Sequence, residues 1–561
     1  MFKAKGKSKN YKFWLALTVI ILSLGFASAQ MIYLAKQQSI TTDEKVHVPS
    51  GFSYWKFGNF YLNPEHPPLA KLLVGLPVYL ERPFYPDTAK LFEASKIFYY
   101  DSWSEARQWG EQFFYNSQNN AEKIVFTSRA VNIVLTLGLI IFIAFWAFQI
   151  AGWPAAALAT VLAAFTPLFL AHGSLANTDT LITLGFTLLS YAWWRYLKER
   201  SWKWFIASSV ILGICALSKF SFVAFIPILF LTSLAVAIKD KKVRIWPAIL
   251  KALIFSLIVW FMILALYGFS FEHAPKFVGF TQKGLLLNSL AIKIMEVFGQ
   301  VLVPVWYFKG LFMVLGGAVG GRGAYLLGHF TLTGWWYYFP VAIAVKTSVG
   351  FLAQVIWASA NIKKLLKKDF ALQVVLLGGA LIYLIVAMIS KTNLGLRHVM
   401  PIFPLLIIFV SQLVLIVKKR WQIILLTVFI LAMVLSTLQN YKNQIAYFNE
   451  FVGTENGYKY LLDSNYDWGQ SLTKIRDYLK QNKFGETVYL SYEWMSPGEK
   501  EYYGIKAAEL SEFNPNQDAV IIVGPGTYMN PQNSWLRNLP IIDRVDNTIF
   551  VLKYNGSAGD N

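Results

Sequence analysis

Phe13 to Leu34 is a run of 22 predominantly apolar residues that closes at Ala35 and Lys36. At about 1.5 Å of rise per residue it makes a helix of roughly 33 Å, the thickness of a bilayer's hydrocarbon core. Similar runs return near 129–150, 154–171, 180–197, 204–219, 222–238, 246–271, 335–358, 372–390, 396–417 and 421–438. A soluble domain has no interior for so many, and the hydrophobic share of 56% agrees. The expected fold is an all-α polytopic membrane protein of about 11 spans.

Lys3, Lys5, Lys7, Lys9 and Lys12 precede the first run, and Ala27-Ser28-Ala29 lies near its end, in the manner of a cleaved signal peptide. Apolar character continues through Met31-Ile32-Tyr33-Leu34, so a retained anchor is expected. Cleavage would leave the remaining topology unchanged.

Lysine and arginine then cluster on every second connection: the N-terminal tail, Arg195 to Lys203, Lys239 to Arg244, Lys363 to Lys368, and Lys418-Lys419-Arg420. These segments hold 20 basic residues, which makes the net charge of +20 topogenic rather than a nucleic-acid surface. The N-terminus is therefore expected in the cytoplasm of a multi-pass plasma-membrane protein. The first outer loop, 36–128, then faces outward, with His172 to Thr180, Glu272 to Gly334, Lys391 to His398 and the C-terminal tail. Gly284 to Gly321 reads as re-entrant or interfacial helices. Two extra spans there, for 13 in all, would preserve the orientation.

Composition shifts after Leu438, dividing the chain into a membrane part, 1–438, and a soluble α/β region, 439–561, of ordinary small-domain size. Ser471 to Asn482 reads as an amphipathic helix, and Thr487 to Tyr492, Ala519 to Val523 and Ile549 to Tyr554 read as strands. Cys215 is the only cysteine, and the sequence has no P-loop, dinucleotide fingerprint or HExxH. Neither a nucleotide nor a redox cofactor is expected.

The chemistry-bearing residues concentrate after the first span, where Asp43-Glu44, Glu65-His66 and Lys71 fall within one short stretch. Composition alone favours solvated or helix-capping carboxylates there. Asp43-Glu44, Gly51-Phe-Ser-Tyr54, Gly58 and Pro64-Glu65-His66-Pro67-Pro68-Leu69 together, however, resemble the first outer loop of the C-type glycosyltransferases that use lipid-phosphate sugars. The resemblance is to the protein O-mannosyltransferase family and its bacterial relatives, including the aminoarabinose transferases. Asn177-Thr-Asp179, Gly334-Trp-Trp-Tyr-Tyr338 and Arg397-His398 with Pro401 and Pro404 add to it, over about residues 10–440.

The resemblance implies an inverting transferase with a polyprenyl-phosphate monosaccharide donor, mannose foremost. Its acceptor hydroxyl would belong to Ser or Thr of a protein, a lipid or a surface glycan, with membrane lipids around it. Attack by a hydroxyl needs an aligned base, for which Asp43 is the family match, with Glu44 beside it. The departing lipid phosphate needs fixed cations or donors, for which the candidates are His66, Lys71, Lys346, Arg397 and His398. The aminoarabinose transferases carry lysine where His66 stands, and a neutral imidazole supplies less charge. In those relatives the motif glutamate joins a later histidine at a metal, so Glu65 and His273 are the corresponding ligands for a divalent ion, although two ligands make no metal signature.

Asp179 reads equally as an orienting carboxylate or a helix cap. Lys219 reads as a snorkelling side chain, while Lys346, deeper in its run, fits a place near the phosphate. Asp463 to Gln470 reads as a turn and cap before the Ser471 helix, with acceptor contact as the alternative, and Asn555-Gly-Ser557 is a sequon. A transporter or flippase for lipid-linked sugar would show repeats and interrupted helices in matching halves. The asymmetric long outer loop favours an enzyme, and a tail acting as a binding module would leave that loop unexplained.

Overall fold

The computed structural model describes residues 3–87, 102–241, 245–268 and 304–556. Among them six helices are long and apolar enough to cross a membrane: Lys12–Gln37, Ala121–Ala164, Phe220–Lys239, Trp246–Leu266, Phe370–Ile389 and Arg420–Gln439. A seventh crossing results if Tyr338–Lys346 and Val349–Ala360, bent by 113°, form one span. The expected eleven are thus not all continuous helices of spanning length. The runs at 204–219 and 396–417 give the shorter helices Trp202–Ala216 and Ile402–Leu415.

Local sequence explains the breaks. The runs at 129–150 and 154–171 meet inside Ala121–Ala164, where Ala151 and Gly152 leave helical geometry and Gly152 takes φ 74° just before Pro154. The run at 335–358 turns at Thr347, because Ser348 caps a new helix by accepting from the Phe351 N–H. Lys346 is the last residue before that turn, with its ammonium held by backbone carbonyls. Of the segment 284–321 only the end is described, as the helix Val305–Gly320. The remainder of that re-entrant reading, the 13-span variant and His273 lie outside the described residues.

The first helix, α1 (Lys3–Gln37), lies against Ala121–Ala164, with Phe26 stacked on Phe165 at 4.2 Å. Helices α2 (Glu44–Phe57) and α3 (Leu69–Glu81) follow and cross where two glycines meet. A Cβ on Gly51 would lie 2.0 Å from the Lys71 carbonyl oxygen, and one on Gly75 would lie 2.2 Å from the Gly51 carbonyl carbon. Only glycine permits that approach.

A two-residue turn joins β1 (Ala324–Leu326) and β2 (His329–Thr331) into an antiparallel hairpin. After Arg420–Gln439 comes a mixed sheet of β3 (Thr487–Ser491), β4 (Ala508–Glu509), β5 (Ala519–Val523), β6 (Ile541–Val545) and β7 (Ile549–Tyr554). Its order is β4-β3-β5-β7-β6, parallel among the first three and antiparallel beyond. All five residues of β5 are buried, as a continuous Val/Ile run predicts for a central strand. The helix Leu472–Gln481 covers the sheet through Leu472 and Ile475, which share a core with Leu490, Val520 and Val551.

This region is sewn to the first outer loop. Ser39 and Thr42 donate their backbone N–H groups to Gln470 O (3.1 Å) and Trp468 O (3.2 Å). Ser39 Oγ donates to Gly469 O at 2.8 Å and accepts from Leu472 N at 2.9 Å. The Lys45 ammonium, fully buried, meets Glu499 at 2.6 Å. Glu499 also accepts from the Tyr115 hydroxyl at 2.8 Å and from the Ser496 N–H at 2.9 Å.

Candidate functional site

Asp43 stands at the N-cap of α2, where a carboxylate ordinarily accepts from the helix's own first amides. It makes no such bond. Its Oδ2 instead accepts from Arg397 Nη1 at 2.8 Å, across 354 residues of sequence. Asp179 opens the helix Asp179–Glu199, but Asn177 does the capping there: its Oδ1 accepts from Asp179 N (2.9 Å) and Thr180 N (3.2 Å). The Asp179 carboxylate is thereby free to bind Lys219 Nζ at 2.6 Å and Arg397 Nη1 at 3.3 Å. Asp179 thus pairs with a lysine and an arginine instead of capping its own helix.

Lys219 does not snorkel. It is 5% exposed and bonded inward, so four charges alternate as Asp43, Arg397, Asp179 and Lys219. Arg397 is fixed from its other side by the C-terminal region. Ser464 Oγ accepts from Nε at 3.2 Å, and the guanidinium lies 4.0 Å from the Trp468 ring centroid. Asn465 Oδ1 accepts from the Leu396 N–H at 2.9 Å and anchors the turn that carries the arginine. The Asp463–Gln470 stretch is therefore a wall of this cluster as well as the lead-in to a helix.

Burial by itself would raise the Asp43 pKa. The Arg397 guanidinium, and His47 one turn along α2, more than offset that and hold the carboxyl below its usual range. Burial lowers His47 to about 4 and takes His66 well below its ordinary value, so both imidazoles are neutral at physiological pH. His47 Nδ1, His66 Nδ1 and His398 Nε2 are buried without a hydrogen-bond partner among the described residues. Such atoms are costly unless something else meets them.

The other expected site residues divide according to what they already hold. Glu44 is wholly buried and committed: Oε1 accepts from Arg129 Nε (2.7 Å) and Ala176 N (2.8 Å), and Oε2 from Arg129 Nη2 (2.7 Å) and from the amide and hydroxyl of Thr41 (2.9 Å each). Lys346 gives its ammonium to the carbonyls of Ile445 (2.9 Å), Tyr447 (2.8 Å) and Asn465, which fills its three donors. Lys71 spends its donors inside the loop, on Asn63 O (2.5 Å), Asn63 Oδ1 (2.7 Å) and Tyr54 OH (3.2 Å). Burial lowers its pKa to about 7.

Glu65 pairs with Arg322 at 2.6 Å. Among the described residues no three histidine, cysteine or acidic side chains are grouped as metal ligands. Sequence reasoning missed Arg129, Arg322, Ser464 and Trp468. The only local signal was the concentration of Asp, Ser, Asn and Trp at 463–468.

Two structures of ArnT from Cupriavidus metallidurans are similar to this chain. The apo form is 12% identical with a TM-score of 0.45 and 100% coverage of both chains. The form bound to undecaprenyl phosphate is 13% identical with a TM-score of 0.45, covering 97% of this chain and 99% of the other. No curated protein matches significantly. Residues 121–265, the stretch that carries Arg129, Asp179 and Lys219, match the family model for Dolichyl-phosphate-mannose-protein mannosyltransferase. With the first-loop motif, that match supports the resemblance of this membrane protein to the C-type glycosyltransferases.

Proposed function

We propose that the chain is an inverting membrane glycosyltransferase with Asp43 as the base. It takes a monosaccharide from a polyprenyl-phosphate donor and places it on an acceptor hydroxyl at the extracytoplasmic face of the plasma membrane. The observation that carries this reading is the Asp43 carboxylate, relieved of helix capping and held ionised beside Arg397. The match over 121–265 supports the same class and makes mannose the first sugar to test.

In the reaction the acceptor oxygen attacks the anomeric carbon as its proton passes to Asp43. The bond from that carbon to the phosphate oxygen breaks, and the electron pair leaves on the lipid phosphate. Asp43 is a weak base in the resting state, because Arg397 stabilises its anion. As the proton arrives, the arginine's attraction passes to the charge growing on the leaving phosphate, which lowers the barrier where the charge develops. Lys219 and the neutral rings of His66 and His398 supply further donors for that phosphate.

The test is purified protein with synthetic polyprenyl-phosphate mannose, scored for transfer to peptide and for hydrolysis, with Asp43→Asn alongside. Turnover that Asp43→Asn abolishes while donor binding persists is the expected result. A donor that crosses the bilayer without glycosidic cleavage would overturn the enzyme reading in favour of a flippase.

A further inference from the structure

Asp463 has a backbone φ of 58°, a left-handed conformation that costs a side-chain-bearing residue energy and that aspartate tolerates better than most. Its Oδ1 accepts from the adjacent Ser464 N–H at 2.5 Å, which fixes the carboxyl group in place. Its Oδ2 has no partner among the described residues. Ser464, the next residue, bonds Arg397 Nε, so the strained turn and the arginine are held as one unit.

Two further valences are open beside it. Arg397 is 6% exposed and spends Nε and Nη1 on Ser464, Asp43 and Asp179. Its Nη2 has no partner among the described residues, and neither has Asp43 Oδ1. The charges of Asp43, Arg397 and Asp463 act on one another, and burial is the main cause of the raised Asp463 pKa. The open guanidinium N–H and the open oxygens of two nearby carboxylates offer one donor and two acceptors, with Asp463 making no direct ion pair with the arginine. Neighbouring hydroxyls on a sugar ring, each both donor and acceptor, complement such a set.

We infer that Asp463 is a binding residue of the site, gripping a vicinal diol between its free carboxylate oxygen and Arg397 Nη2 so that the sugar ring is seated against Asp43. The diol belongs either to the donor sugar or to a glycan acceptor. This inference rests on the glycosyltransferase reading and adds to it a contact from the C-terminal region.

The experiment uses the full-length protein with polyprenyl-phosphate mannose, measuring donor KM and kcat in hydrolysis and, separately, transfer to a mannose disaccharide. Two variants are compared with the parent. Asp463→Asn keeps the shape, and Asp463→Gly relieves the positive φ, which keeps the turn folded without the carboxylate. A tenfold or greater rise in donor KM with kcat within threefold, in both variants, assigns the diol to the donor. Unchanged hydrolysis with tenfold weaker transfer assigns it to the acceptor. If both folded variants match the parent in both assays, the inference is overturned and the enzyme reading stands. A parent inactive with polyprenyl-phosphate mannose and with a panel of other polyprenyl-phosphate sugars overturns the enzyme reading itself, and the inference with it.

Discussion

Asp43 and Glu44 are neighbours in sequence, the first partly and the second wholly buried, both facing an arginine, and they end in opposite conditions. Glu44 and Arg129 close on each other: every carboxylate oxygen is saturated, and the guanidinium completes its set with the carbonyls of Ala35, Gln38 and Ser39. Asp43 and Arg397 close only partly, leaving one carboxylate oxygen and one guanidinium nitrogen without partners among the described residues. A saturated buried pair does structural work, because any new ligand would have to displace a bond already made. An unsaturated one stores binding capacity, and its cost is met by the rigid frame around it.

That contrast can be broken experimentally. Asp43→Asn removes the base and one charge facing Arg397, which keeps Asp179 and Ser464, so turnover should fall on the order of 10³-fold or more while unfolding changes by only about 1 kcal/mol. A matching loss of stability would make Asp43 structural. Glu44→Gln should do the reverse, stranding the Arg129 charge and destabilising the fold by about 3 kcal/mol or more. Glu44→Met with Arg129→Leu should recover most of that loss, whereas an additive double variant would show that the pair is not a closed unit.

Lys45→Met leaves the Glu499 carboxylate its bonds from Tyr115 and Ser496, so a smaller loss of about 2 kcal/mol is expected, read by thermal unfolding in detergent. The smallest effect is a pH dependence in the C-terminal region. Burial raises the Asp546 carboxyl to about 7, with Asp467 beside it adding to the shift. The folded state thus favours its protonated form, and this contribution, complete below the ordinary aspartate pKa, is lost as pH rises through about 7. Asp546→Asn should remove that slope and raise the midpoint by a few degrees at pH 8 but not at pH 5. An unchanged slope would place the titration elsewhere.

Sequence made the membrane character legible because hydropathy is additive along a helix, and the strand runs 487–492, 519–523 and 549–554 show the β-branched content of the observed β3, β5 and β7. It did not reveal where helices break: Thr347 and Gly152 end helices through one cap or one dihedral that leaves average hydropathy untouched. Asp43, Asp179 and Arg397 were identifiable by motif. Their mutual pairing was not, since Arg397 stands 354 residues from Asp43 and 218 from Asp179, and no periodicity links them. Lys346 was misleading for the same reason. A lysine deep in an apolar run signals that something meets its charge, but not whether that partner is a ligand or, as here, backbone carbonyls.

The Gly51 and Gly75 crossing has a further consequence. Two backbones already in contact cannot approach further, and with Lys45 clamped to Glu499 they have little freedom to separate. The loop that carries Asp43 is accordingly stiff, and Arg397 meets it from a frame that is stiff as well, held by Ser464 and Asp179 and seated on the Trp468 ring. A guest must therefore fit the spacing these side chains already have, since neither side has slack to yield.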